Sequence, residues 1–143
     1  MIVENIFENK IFSELKKYVE EKSIYKPTVT KAMPQQSKVF PIVPVKLLPV
    51  TNKYNNLSYG EETYTFGIEI NVYSMTSGKT SKRTVCNEVT EQVVDYFKNN
   101  YHVTIKTELD ALNADSNVHR NIIKITGKLD TKYGLDNLVI YPV

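Results

Sequence analysis

The triplet Gly78-Lys79-Thr80 is the first place in the sequence where residue types and order could do chemistry. It follows a strong strand pattern and opens a helical one, the position in which a phosphate-binding loop holds a nucleotide. Such a loop needs GxxxxGK[ST], because the first glycine lets backbone N–H groups curl around the phosphates. Five positions before Gly78 stands Tyr73, and Tyr73 to Ser77 prolong the strand, so the cradle is missing. The triplet reads as a strand-to-helix turn. The single cysteine, Cys86, and the two histidines, His102 and His119, are the next groups able to act. A cysteine–histidine nucleophile pair meets in space rather than in sequence. Cys86, however, adjoins Val85 on a helix whose apolar side faces a sheet, where cysteine serves as a small hydrophobe. His102 beside Tyr101 and His119 beside Arg120 read as surface strand residues. One cysteine supplies neither an internal disulfide nor a thiolate cluster for zinc, and no spaced ligand set accompanies it. The carboxylates Glu61, Glu62, Glu69, Glu108, Asp110 and Asp115 are scattered, and no spacing singles out a pair. The expectation is a chain without catalytic, metal or cofactor residues, and not an enzyme.

Ten tyrosines are the most unusual count in the composition. Aromatic side chains side by side on a sheet stack single-stranded nucleic acid, and Tyr64 to Ile70 resembles the aromatic strand of an RNA-recognition sheet. That stretch lacks the leading Lys/Arg-Gly and carries Glu69. Tyrosine also suits protein interfaces, being apolar along its body and polar at its tip. A small nucleic-acid-binding module is therefore the alternative to an interaction protein, with plain packing as a third role. The candidate interface set is Tyr54, Asn55, Asn56, Tyr59, Tyr73, Arg120, Tyr133 and Tyr141.

The elements that must position these residues follow from hydrophobic periodicity. Ile2 to Lys22 sets Phe7, Ile11, Leu15, Tyr18 and Val19 on one stripe, an amphipathic helix that Lys26-Pro27 ends. Residues 27–38 read as a loop. Val39 to Pro49 is rich in β-branched residues but holds three prolines, which predicts an edge strand or one broken by bulges. Thr51 to Gly60 reads as a polar loop. In Glu62 to Met75, Tyr64, Phe66, Ile68, Ile70 and Val72 alternate with mostly polar residues, a strand with one apolar face. A helix from about Thr80 to Asn99 sets Val85, Val89, Val93 and Phe97 in a four-residue row. Strands follow at Tyr101 to Glu108, Val118 to Lys128 and Leu138 to Tyr141, with a turn at Asp110 to Asn117 and a hairpin loop at Leu129 to Asp136. The order predicts one α+β domain over residues 1–143: a mostly antiparallel sheet of about five strands with two helices packed on one face.

Composition narrows the class. In 143 residues, 41% hydrophobic and 24% charged is ordinary globular usage, against disorder or a fibrous chain. The longest apolar run, Val39 to Val45, is cut by Pro41 and Pro44, so no membrane partner is expected. Met1-Ile2-Val3-Glu4 has no basic stretch before an apolar one, unlike a secretory signal. The net charge is +2, and only Arg83 and Arg120 are arginine, which argues against sequence-specific reading of nucleic acid.

Several segments together resemble the tail terminator, or tail-completion, proteins of long-tailed bacteriophages and phage-like tail particles. The N-terminal helix and the strand Val39-Phe40-Pro41-Ile42-Val43 come first. The acid-led strand from Glu61-Glu62-Thr63-Tyr64 to Asn71-Val72-Tyr73-Ser74, leading to a long helix, is similar to the family's corresponding stretch. Val118-His119-Arg120, running to Gly127-Lys128-Leu129-Asp130, and the closing Val139-Ile140-Tyr141 complete the likeness, which spans roughly residues 3 to 143. The resemblance implies a structural virion protein assembled in the host cytoplasm. It implies a homo-oligomeric ring of six copies at the head-proximal end of the tail tube, contacting the tube protein on one side and the head connector or stopper on the other. DNA would pass through the lumen without specific binding. The family brings no catalytic residues and no cofactor.

Overall fold

In a computed structural model, which describes residues 2–31, 39–56, 61–130 and 139–141, the chain folds as an α+β domain. The N-terminal helix forms as three consecutive segments: α1 (Ile2–Ile6), a π-helical segment (Phe7–Phe12) and α2 (Ser13–Lys22). The wider i→i+5 turn brings Phe12 beside Phe7, with ring centroids 6.2 Å apart, and adds it to the predicted buried stripe. The helix stops at Lys22, short of Lys26-Pro27, because Ser23 turns to extended geometry and its N–H closes on the Val19 carbonyl. The second long helix, α3 (Lys82–Asn100), is capped by Ser81, whose side chain accepts from the Thr84 N–H. Val85, Val89, Val93 and Phe97 are all buried, as their spacing predicts. No helix among the described residues is long and apolar enough to cross a membrane.

Among the described residues, seven strands make one sheet: β1 (Thr28–Thr30), β2 (Ile42–Leu47), β3 (Thr51–Asn56), β4 (Glu61–Ser74), β5 (Thr104–Glu108), β6 (His119–Asp130) and β7 (Val139–Tyr141). The main path runs β1-β2-β4-β6-β5, five strands, antiparallel except for β1 on β2. The spine is the pair β4–β6, matched residue for residue from Thr63↔Asp130 to Ser74↔His119. Along the outer side of β4 lie β2 and then β3; along the outer side of β6 lie β5 and then β7.

The alternation in β4 works as read. Tyr64, Phe66, Ile68, Ile70 and Val72 are buried against both helices, in register with Leu129, Gly127, Ile125, Ile123 and Asn121 of β6. Gly127 is required here: a Cβ would come within 2.9 Å of the Phe66 ring, which lies over it. The opposite face, which no helix among the described residues covers, carries Glu69, Asn71 and Tyr73 beside Lys124, Ile122 and Arg120.

Several expectations are corrected. Residues 28–30 form a strand rather than loop because they find β2 as a parallel partner. β2 is an inner strand, not an edge, despite its prolines. Pro41 precedes it, Pro49 follows it, and Pro44 falls where the pairing with β4 steps from Ile42↔Tyr73 to Val45↔Ile70, so its missing N–H breaks no pair there. Thr51–Asn56 is strand instead of loop, held by β4, with a bulge between Tyr54 and Asn56. β6 continues through Asp130, into the segment expected to be a loop; the remainder of that segment lies outside the described residues.

Candidate functional site

The long β4–β6 register sorts the candidate interface residues into two groups. At one end, Tyr54 pairs with Glu62, Asn56 with Glu61, Asn55 sits in the bulge between them, and Tyr141 pairs with Lys128. At the other end, Tyr73 and Arg120 stand directly opposite each other. Eleven residues of extended chain separate Glu62 from Tyr73, roughly 35 Å at the usual rise of a strand. Tyr59 and Tyr133 lie outside the described residues.

The Tyr73–Arg120 end is built most completely. The Arg120 guanidinium carbon lies 5.7 Å from the Tyr73 ring centroid, a cation–π contact. Its Nε donates to Asn71 Oδ1 at 2.9 Å and one terminal nitrogen to the Leu112 carbonyl at 2.9 Å, so the side chain is pinned across the strand pair and onto the 110–118 turn. Beside it, Lys82, Arg83, Asp110, Asp115, His119 and Arg120 border a polar hollow of about 370 Å³. Asp110 accepts from Arg83 at 3.2 Å and lies 3.5 Å from His119 Nδ1, while Lys82 donates to the Ser116 carbonyl. Asp110 has a positive φ of 60°, a conformation that aspartate tolerates better than most residues. Its N–H donates to Asn121 Oδ1 at 2.9 Å.

His119 is buried, 6% exposed, not a surface residue as its neighbour Arg120 suggested. It shares the inward parity of Asn121, Ile123 and Ile125 on β6, and that parity was the usable signal in the sequence. Asn121 is the residue holding this end together that sequence reasoning missed. Fully buried, it also donates from Nδ2 to Thr90 Oγ1 at 2.9 Å and Asn87 Oδ1 at 3.0 Å, tying α3, β6 and the 110–118 turn together. A polar residue in phase with an apolar strand face was its only mark.

The groups weighed for chemistry are placed apart. Lys79 is exposed in the turn after β4, where the isolated bridge Ser77↔Thr80 closes around Gly78 at φ 58°. His102 is exposed before β5. Cys86 is fully buried and its thiol donates to the Val72 carbonyl at 3.2 Å. Burial pushes that thiol up to about 11, only partly offset by hydrogen bonds from its surroundings. Because the folded value exceeds the unfolded one, the stabilising contribution is full below pH 9 and is lost as pH rises through 11. The expected loss at pH 11 is about 2 kcal/mol. Burial likewise raises Tyr96, whose hydroxyl lies 3.2 Å from both the Tyr101 hydroxyl and the Glu14 carboxylate, and raises Tyr101, which acts in the same direction. Urea midpoints should therefore fall steeply between pH 9 and 11, and iodoacetamide at pH 8 should label Cys86 only after unfolding. Rapid labelling of the native chain would contradict this placement.

Among tyrosines whose side chains are described, Tyr64 and Tyr96 are buried and Tyr18, Tyr25, Tyr73 and Tyr101 are half-buried, with the Tyr73 ring in contact with Arg120. They form no row of exposed stacking rings. No group of three or more His, Cys, Asp or Glu residues among the described residues could hold a metal ion. In comparisons with known proteins, no family model matches this chain, and no curated protein matches it.

Proposed function

We propose that this chain is a structural subunit that closes the head-proximal end of a phage-type tail tube as a ring, stopping tube growth and joining the tail to the head connector. The observation that carries the reading is the division of the polar and aromatic candidate residues between opposite ends of the β4–β6 spine. A terminator must bind a growing polymer end with one surface and present a different surface beyond it; a subunit with like ends would continue the polymer. The Tyr73–Arg120 end is rigidified by the Asn71 and Leu112 bonds, which suits a surface that recognises a fixed partner. Cys86, used inside the core, supports a scaffold rather than a catalyst. The ring would hold six copies, with DNA passing through without sequence-specific contacts.

The test is light scattering and electron microscopy of the purified chain, alone and after addition of tail-tube subunits. Six-membered rings, free or seated on tube ends, are the expected result. A chain that forms no ring in either setting would overturn the proposal.

A further inference from the structure

We propose that the free margin of β5 pairs with the β5 of a second copy, antiparallel across a two-fold axis, with Lys106 of each chain opposite Glu108 of the other. Among the described residues β5 is the terminal strand of the sheet path and is bonded only to β6, so its far side offers backbone groups that none of them pairs. The other terminal strand is guarded: Lys16 on α2 reaches over and donates to the Val29 carbonyl at 3.0 Å. β5 has no such guard among the described residues. Thr107 and Glu108 are exposed, and so is Leu109 just beyond the strand, at 55%.

Among registers centred on the exposed half of the strand, Lys106 to Glu108, the side chains select one. Antiparallel self-pairing must match outward-facing residues with outward-facing ones, which leaves registers two residues apart. Centred on Lys106, it would set Lys106 against Lys106. Centred on Glu108, it would set glutamate against glutamate. Like charges directly opposite are unfavourable. Centred on Thr107, it places both lysines opposite glutamates and Ile105 opposite the partner's Leu109. Lys106 thus blocks one pairing and directs another.

Two further features suit this occupant. Within its own chain Lys106 faces Lys124 across the β5–β6 ladder, and neither these lysines nor Glu108 forms an ion pair among the described residues. The partner's Glu108 would bring a carboxylate beside that cationic pair. On the helix side, a hollow of about 370 Å³ bordered by Val94, Lys98, Val103 and Ile105 lies along the margin, where the partner's Leu109 would leave water.

A two-fold contact joins identical surfaces, whereas a ring contact joins unlike ones. The inference therefore goes beyond the ring reading, and either can fail alone. Sedimentation velocity over a concentration series tests it. Wild type should dimerise, K106E should weaken the dimer about thirtyfold by turning two attractive pairs into repulsive ones, and K106E/E108K should restore it. Circular dichroism melts confirm that each variant is folded; both positions of the exchange are solvent-facing, so the three proteins should melt alike. A wild type that stays monomeric to about 100 µM overturns the proposal. So does a dimer that K106E leaves unchanged, or association that the double exchange fails to rescue.

Discussion

Replacing Phe97 by alanine should cost about 3–5 kcal/mol of folding free energy, read as a large fall in the urea midpoint with the slope unchanged. Phe97 is 1% exposed at the end of the four-residue row on α3. Its ring stacks edge-on against Tyr96 at 5.2 Å and lies 6.0 Å from Tyr101, while Tyr18 from the N-terminal helix meets Tyr96 at 5.8 Å. The ring thus sits where both helices and the start of the 101–103 connection converge, and the surrounding aromatics are too stiff to fill the void. A loss below about 1 kcal/mol would mean that this cluster collapses around the gap or does not pack as described.

Asn121→Ala should cost about 2–3 kcal/mol, although it removes few atoms. The loss comes from partners left behind. The Asp110 N–H loses its acceptor, and the Thr90 hydroxyl and Asn87 amide oxygen lose a donor. Thr90 keeps its bond to the Cys86 carbonyl at 2.7 Å, so α3 itself should remain intact. The distinguishing readout is local: hydrogen exchange at Asp110 should accelerate more than exchange in α3. If both accelerate equally, Asn121 serves the core in general and does not specifically hold the turn beside Arg120. On the present geometry this substitution also loosens the Tyr73–Arg120 end, through the 110–118 segment to which Arg120 is bonded.

What the sequence made legible were the elements that bury their own pattern. The Tyr64-to-Val72 alternation and the Val85-to-Phe97 row carry their signal locally, and both appear as read. β1 and β3 carry none: three residues of TVT and the polar run TNKYNN become strands only because β2 and β4 offer them partners distant in sequence. β2 shows the opposite failure, where a sound local rule about proline was overridden because Pro44 falls in a gap of the ladder. The candidate residues themselves were visible as tyrosines, asparagines and an arginine, but their grouping was not. Tyr73 and Arg120 meet only through a twelve-residue antiparallel register, and no periodicity encodes such a register across an intervening helix. His119 turns inward because it shares the strand parity of Ile123 and Ile125, a stronger signal than its charged neighbour Arg120.

The proposed role as an end-closing subunit is tested most directly by tube growth. Purified tube protein would be allowed to polymerise with and without this chain at one copy per several tube subunits, and tube lengths measured by electron microscopy. The account predicts that growth halts, with shorter tubes each bearing a ring at one end. Length distributions that do not change, with bare ends throughout, would contradict it.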